Sequence, residues 1–408
     1  MEAREQRGLE IAATVKLRRK GDVWIVPSQS KNGRMYEVNV QGDEPICSCP
    51  DHETRRVKCK HIHAVEISIR RETRPDGTVT LTKTVRVTYG QNWPAYNAAQ
   101  INEKDRVTEL LRGLCDGITQ PKQGRGRPRL PLSDVVFSAV MKVFTTASGR
   151  RATSDLRECQ AKGHVAHTPH YNSIFNYLED PTLTPILKAL IEESASPLKA
   201  VESDFAVDSS GFATCTYERW YDAKYGKMRL EHNWVKAHLM IGVKTNIVTS
   251  IEVTGPDSND SPHLPALLET TTKRFQVAEL SADKGYISSR NLEAVVAAGA
   301  VPYIPFKLNT TGEGPELWRK MFHFYQFSRT EFLGHYHKRS NVESTFSMIK
   351  AKFGASVRSK TATAQMNEVL CKVICHNLCV LVGSIYELGI APTFWAELPV
   401  TQQKRLDA

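Results

Sequence analysis

Three acids stand where metal-assisted phosphate chemistry could use them. Asp208 follows Ala206-Val207 and precedes Ser209-Ser210-Gly211; Asp283 follows Ser281-Ala282 and opens Asp283-Lys284-Gly285-Tyr286; Glu343 lies within Tyr336–Lys350. A carboxylate at a strand end, followed by small residues, leaves room beside it for an ion and a phosphate. Two such aspartates and a helical glutamate on one sheet edge would suit two Mg²⁺ ions about 3.5–4 Å apart, activating the attacking oxygen and stabilising the leaving one. Mg²⁺ takes few carboxylates and completes its octahedron with water and substrate phosphate. Taken singly, each acid has a plainer reading: Asp208 and Asp283 as turn or cap residues, Glu343 on a solvated helix face. The combination carries the case.

The surroundings of Glu343 add to it. Tyr336, Arg339, Glu343 and Lys350 follow the spacing Tyr-(2)-Arg-(3)-Glu-(6)-Lys. Residues four and seven apart share a helix face, so one face would present a metal carboxylate flanked by cations for DNA phosphates. The alternative is a surface Arg–Glu pair with a solvated lysine.

A second cluster lies near the N-terminus. Cys47-Ser48-Cys49, nine intervening residues, then Cys59-Lys60-His61 supply three thiolates and an imidazole, the ligand set of a tetrahedral structural zinc. Arg55, Arg56, Lys58 and Lys60 would favour thiolates there. His52 and His63 remain substitutes for His61. The nine cysteines are an odd count and unevenly spread, which speaks against a disulfide framework.

Positioning these residues needs several elements. Residues 22–27 and 35–40 alternate polar and apolar and read as a β-hairpin closed by Asn32-Gly33, with a short helix over HAVEISIRRE after the cysteines. A modest helical segment is expected near 101–114. Helical signals fill 131–197, with Ser133 and Thr153 as N-caps and Pro181 separating the third and fourth helices. Strands are expected at 203–207, 235–243, 247–254, 277–282 and 301–304, with helices near 263–274, 288–298 and 340–352. Three strands, then helix, strand, helix, strand, helix, make a mixed α/β sheet of the ribonuclease-H kind. The apolar segment NEVLCKVICHNLCVLVGSIYELG reads as a helix packed on that core.

Two resemblances emerge at this point. Cys-X-Cys, a spacer and Cys-X-His over about residues 22–70 is similar to the SWIM zinc finger, which implies a structural zinc and a DNA- or protein-binding role. The four-residue spacing around Glu343, together with Asp208-Ser209 and Asp283-Lys284-Gly285-Tyr286, resembles bacterial DDE insertion-sequence transposases with the Y-R-E-K motif. Segments such as YNSIFNYLEDP, WVKAHLMIGVKTNIVT and HYHKRSNVESTFSMIKAKFG extend that likeness over about 121–395. It implies an RNase-H-like fold, a Mg²⁺ (or Mn²⁺) triad of Asp208, Asp283 and Glu343, and DNA contacts by Tyr336, Arg339 and Lys350. It further implies that water cuts a phosphodiester at the element's end and the freed 3′-hydroxyl attacks target DNA. The sequence departs from relatives with a large β insertion, since 60 positions separate Asp283 from Glu343. Trp318 and Tyr325, in between, read as core aromatics or as stacking platforms for bases.

Composition agrees. The 408 residues carry 54 Lys+Arg against 44 Asp+Glu, a net +10, which favours a polyanionic partner. Residues 121–160 hold a net +5 and 307–372 a net +6. Within the first, Arg125-Gly126-Arg127-Pro128 matches the core of an AT-hook, an extended Arg-Gly-Arg lying in a narrow minor groove, or serves as a solvated linker. No run of about 18 apolar residues and no apolar leader is present, so a cytoplasmic, nucleoid-associated protein without a membrane partner is expected.

The expected architecture is multidomain: a small α+β zinc module at 1–72, a partly helical linker at 73–130 ending in the basic stretch, a helical DNA-contacting domain at 131–200, an RNase-H-like α/β catalytic domain at 201–392 and a tail at 393–408. The expected partner is double-stranded DNA, as terminal inverted repeats and as target, with a homodimer assembled on it. Two rivals are a catalytically inactive zinc-finger DNA-binding protein and an RNase-H-like nuclease that cleaves without joining.

Overall fold

The computed structural model describes residues 3–15, 17–28, 35–41, 44–73, 79–83, 92–126, 129–214 and 234–395. The chain divides into two units, Met1–Gln91 and Asn92–Ala408.

In the first unit, strands β1 (Arg18–Lys20), β2 (Val23–Pro27), β3 (Met35–Asn39) and β4 (Ile46–Cys47) form an antiparallel sheet in sequence order. Alternation buries Trp24, Val26 and Val38 on one face. The Asn32-Gly33 turn expected between β2 and β3 lies outside the described residues. Helix α1 (Ala3–Thr14), the short α2 (Pro50–Arg55) and α3 (Lys60–Ser68) complete the unit, whose core joins Ile11, Ile62 and Val65 to the sheet residues. The helix expected over 63–72 ends four residues early. Residues Ile69–Thr73 form β5, antiparallel to β6 (Val79–Lys83). Cross-strand pairing there overrides the helical pattern of the sequence.

The second unit is built around a five-stranded sheet in the order β11-β10-β7-β8-β9. Its strands are β7 (Asp204–Ala213), β8 (Trp234–Gly242), β9 (Val248–Thr254), β10 (Glu279–Ala282) and β11 (Val301–Tyr303). β7, β8 and β9 run as an antiparallel meander, and β10 and β11 lie parallel to β7. Helices α10 (Leu264–Thr272) and α11 (Ser289–Ala297) cross between them. Helices cover both faces, so the strands read as near-continuous apolar runs. Phe205, Val207, Met240 and Leu280 pack with α10 and α11, while Ala206, Leu239 and Ile241 join a larger core.

That larger core takes in α4 (Trp93–Ile101), α5 (Glu103–Asp116), α6 (Leu132–Phe144), α7 (Gly149–Ala161), α8 (Tyr171–Glu179), α9 (Leu183–Ala195), α14 (Ser340–Phe353) and α15 (Ala362–Leu388). Helix α15 has the length and apolarity of a membrane span, yet 72% of that window is buried in the unit. The segment expected as a linker therefore contains packed helices: Val107, Leu111 and Leu114 of α5 are fully buried. The division between units falls at Gln91/Asn92, upstream of the basic stretch, because α4 and α5 bury their apolar faces in the second unit. The expected caps also shift. Pro131 and Ser148 precede α6 and α7, and Ser133 and Thr153 lie inside them. The expected tail begins with packed residues, for the Trp395 indole donates to Leu114 O at 3.1 Å. The stretch holding Trp318 forms α12 (Glu316–Phe327), followed by α13 (Arg329–Tyr336). Trp318 and Tyr325 pack edge-on or tilted against Phe306 and Phe332, which is the core arrangement.

Candidate functional site

Asp208 sits within the ten-residue β7 and not at its end. The strand continues because β8 pairs with it as far as Ala213, opposite Trp234. Its other neighbour, β10, stops at Ala282, opposite Val207. One side of Asp208 is thus open at the level where Asp283 follows β10. Asp283 caps the 3₁₀ turn Lys284–Tyr286, accepting the Lys284 N–H at 2.6 Å.

Glu343 is placed by α14. Val342, Phe346, Ile349 and Phe353 form a buried stripe along this helix, and Asn341 donates to Val243 O at 2.7 Å. Glu343 lies beside the stripe, with its side chain 60% exposed. The 3₁₀ turn His337–Arg339 before α14 is pinned by Lys338, whose ammonium reaches Asp204 at 2.6 Å and Glu279 at 2.7 Å, on the first residues of β7 and β10. This anchor carries Arg339 onto the carboxylates. Its guanidinium donates to Asp208 Oδ2 and to Glu343 Oε1, each at 2.5 Å.

The electrostatics follow from that crowding. Burial raises the Asp208 carboxyl; the Ser209 N–H and Arg339 pull it down; the charges of Asp283 and Glu343 push it up again, and the net direction is upward. An all-oxygen, like-charged cluster of this kind fits a hard divalent cation. Lys350 donates to Ser210 Oγ at 2.6 Å and lies 5.4 Å from the Phe212 ring centroid, so burial lowers its pKa. Tyr336 stands with its ring 6.0 Å from the Arg339 guanidinium carbon. Asp208, Ser210, Glu343 and Lys350 line one cleft. Arg125 is exposed on the 121–126 stretch, apart from these residues in the sequence, and Arg127 lies outside the described residues.

Sequence reasoning passed over the groups on the opposite face of β7. Ser209 pairs across to His238, and Lys236 lies on the same face of β8. Lys236 Nζ is 2.7 Å from Asp260 Oδ1, and His238, fully buried, stacks on His263 with ring centroids 4.3 Å apart. Burial works to raise the Asp260 carboxyl, but hydrogen bonds from Lys236 and Ser209 outweigh it and hold it low. Burial, reinforced by His263, pushes His238 down to about 4. Lys236, paired with Asp260, thus lies on the same sheet face as Ser209, the residue next to Asp208. The signal available beforehand was a Lys and a His two apart inside an otherwise apolar strand.

In the first unit, Cys47, Cys49, Cys59 and His61 are all buried, and their ligand atoms lie within 4.8 Å of one another. Cys47 Sγ and Cys59 Sγ each stand 3.9 Å from His61 Nδ1. The loop before α2, that helix's length and the N-terminal turn of α3 bring the two pairs together. His52 instead directs Nδ1 to Val57 O at 2.8 Å, and His63 faces Glu66. A hydrogen bond with Cys59, then burial, holds the Cys47 thiol up; burial chiefly raises Cys49; the bond with Cys47 leads in pulling Cys59 down. Packed this closely, the thiols share protons unless a cation offsets the charge. The set is compatible with a structural zinc.

Residues 199–378 match the family described as Transposase DDE domain. No curated protein matches the chain. Among solved structures, the chain is similar to piggyBac transposase in a synaptic complex with hairpin DNA, at 10% identity and a TM-score of 0.34, covering 74% of this chain and 79% of that one. The family match spans β7 through most of α15 and contains Asp208, Asp283 and Glu343.

Proposed function

We propose that the chain is a DNA transposase whose second unit cleaves DNA strands at the ends of an insertion element and joins them to target DNA. The observation that carries this reading is the meeting of Asp208, Asp283 and Glu343 beside the open end of β10, within the span that matches the transposase domain. The strand order β11-β10-β7-β8-β9, with three antiparallel and two parallel strands, supports an RNase-H-like fold.

In this reading the three carboxylates would hold Mg²⁺ or Mn²⁺, which would activate the attacking oxygen and stabilise the leaving oxygen of an in-line displacement. The chain's own residues orient the substrate. Lys350, held against β7 by Ser210, offers its ammonium to a DNA phosphate at the cleft. Arg339, bonded to both Asp208 and Glu343, offsets the charge of the two carboxylates. In cleavage, a water oxygen bonds to phosphorus and the bond to the 3′-oxygen breaks, freeing a 3′-hydroxyl. In joining, that hydroxyl attacks a target phosphodiester, whose own 3′-oxygen leaves.

The first unit is read as a SWIM-type zinc module of a bacterial mobile-element protein, with zinc on Cys47, Cys49, Cys59 and His61 as a folding element. A fully protein-ligated zinc has no open position and no part in the chemistry. Arg125, Arg127 and Tyr336 are read as further DNA contacts, and the assembled enzyme as a homodimer on DNA.

The test is Mg²⁺-dependent nicking of DNA carrying the coding region with its flanks. Asp208→Asn, Asp283→Asn and Glu343→Gln should each abolish cleavage while DNA binding persists. Full cleavage by any of the three overturns the assignment. A cleaving enzyme that yields no strand-transfer product from an oligonucleotide with a free 3′-hydroxyl is a nuclease instead.

A further inference from the structure

The basic residues of α6, α14 and α15 meet in a second place. The C-terminal half of α6, the end of α14 and the first turns of α15 enclose a cavity of 290 Å³ lined by Lys142, Thr146, Lys352, Arg358, Glu368 and Lys372. Four cations and one carboxylate face it.

The charges there do not cancel locally. Glu368 is 3% exposed, and its carboxylate already accepts the Arg358 and Ser359 N–H groups and the Ser359 hydroxyl. Lys372 is 1% exposed and donates to Gly354 O and Ser356 O, each at 2.7 Å, at the end of α14. Gly354, at φ 88°, turns the chain there and presents its carbonyl. Burial pulls Lys372 down to about 8, and the charges of Lys142 and Arg358 press the same way. Lys352 is paired with Glu103. Lys142 and Arg358 remain: among the described residues neither side chain has an ion pair. Lys142 is only 4% exposed, with its ammonium 5.9 Å from the Phe175 ring centroid.

An ammonium withdrawn from water without a counter-charge is strongly unfavourable, unless an anion completes the site. Ala351 borders both this cavity and the cleft of Asp208, Glu343 and Lys350, so one turn of α14 joins the two. We propose that the cavity binds a phosphate group, and that this phosphate belongs to a DNA strand leading from the cleft. The second clause rests on the transposase reading; the first does not.

The experiment uses the full chain with Lys142→Met and the exposed-site variant Arg358→Gln. Inorganic phosphate, titrated at constant ionic strength against chloride, should raise the melting temperature of the unsubstituted protein and lose most of that effect in both variants. Lys142→Met should melt no lower than the unsubstituted protein in phosphate-free buffer, since an uncompensated charge is gone. The slope of log K against log salt for a double-stranded oligonucleotide should fall by about 0.9 for each lost phosphate contact. Phosphate that stabilises all three proteins equally, or none, overturns the site. Phosphate stabilisation lost in the variants with an unchanged DNA slope overturns the DNA assignment and leaves free phosphate as the ligand. Asp208→Asn should keep both readouts, so a failed cleavage assignment is distinguishable from a failed phosphate site.

Discussion

Arg339→Met keeps the aliphatic stem and removes the guanidinium that joins Asp208 to Glu343. The two arms are unequal. Glu343 is 60% exposed, so its share is screened by water and contributes about 0–1 kcal/mol. Asp208 and Arg339 are 19% and 18% exposed, and a charge-assisted hydrogen bond so largely removed from water contributes about 1.5–3 kcal/mol. The combined loss should be about 2 kcal/mol. Across a unit spanning residues 92–408, an unfolding entropy of about 2.1 cal/mol/K per residue turns that into a fall of roughly 3 °C in melting temperature. A second signature separates charge from packing. Without Arg339, Asp208 faces Asp283 and Glu343 with its nearest counter-cation gone. Mg²⁺ should then stabilise the variant more than the unsubstituted protein, recovering about 2.7 kcal/mol at a hundredfold excess over Kd. Thermal melting with and without Mg²⁺ reads both effects, with Asp208→Asn as the control that breaks the same ion pair but gains no Mg²⁺ response. If Arg339→Met melts with the unsubstituted protein, or Mg²⁺ shifts the two equally, Arg339 is not the counter-ion of this cluster.

Asn377, fully buried on α15, accepts the Val248 N–H at 2.9 Å and donates to Val248 O and Ser194 Oγ; Asn377→Leu strands those groups and should destabilise by about 2–4 kcal/mol, read as a lower urea midpoint at unchanged m. His376, buried beside Asn246 O, is pushed down to about 4 by burial. Its folded-state pKa is below the unfolded value near 6.5, so stability is full above pH 6.5 and is lost as pH falls towards 4, by on the order of 3 kcal/mol. His376→Asn should flatten the urea-midpoint profile in that window, and an unchanged profile would remove this residue as the cause. Cys49→Ser should abolish stoichiometric zinc in the purified protein and lower protease resistance in the first unit; retained zinc would show that Cys49 is not a ligand.

Much of this molecule was legible in the order of its residues, wherever the determining physics is local. The Cys-X-Cys and Cys-X-His pairs need only a short turn to converge, and the spacing of Cys47, Cys49, Cys59 and His61 expresses that directly. Apolar periodicity placed the helices from α6 to α9, the five strands β7 to β11 and the helices α10, α11 and α14, because each depends on one element's own pattern of burial, whereas α12 and α13 were not expected. The matched span 199–378 contains all three acids singled out by their neighbours.

What depends on partners distant in the chain was decided by the tertiary structure alone. Polar Asp208-Ser209-Ser210 reads as a strand end, yet β8 supplies hydrogen bonds through Ala213, so the open edge arises from β10 stopping short. Ile69–Thr73 has a helical pattern but finds a strand partner in β6. The anchoring of Arg339 by Lys338 spans 134 positions to Asp204, and Arg339 itself reaches back 131 positions to Asp208. Lys142 and Arg358 belong to different helical layers, and only packing shows that they share one cavity. Sequence determined which residues are able to do chemistry and which elements carry them. Tertiary packing determined which charges face one another without water, since that depends on long-range contacts and on the dielectric they create.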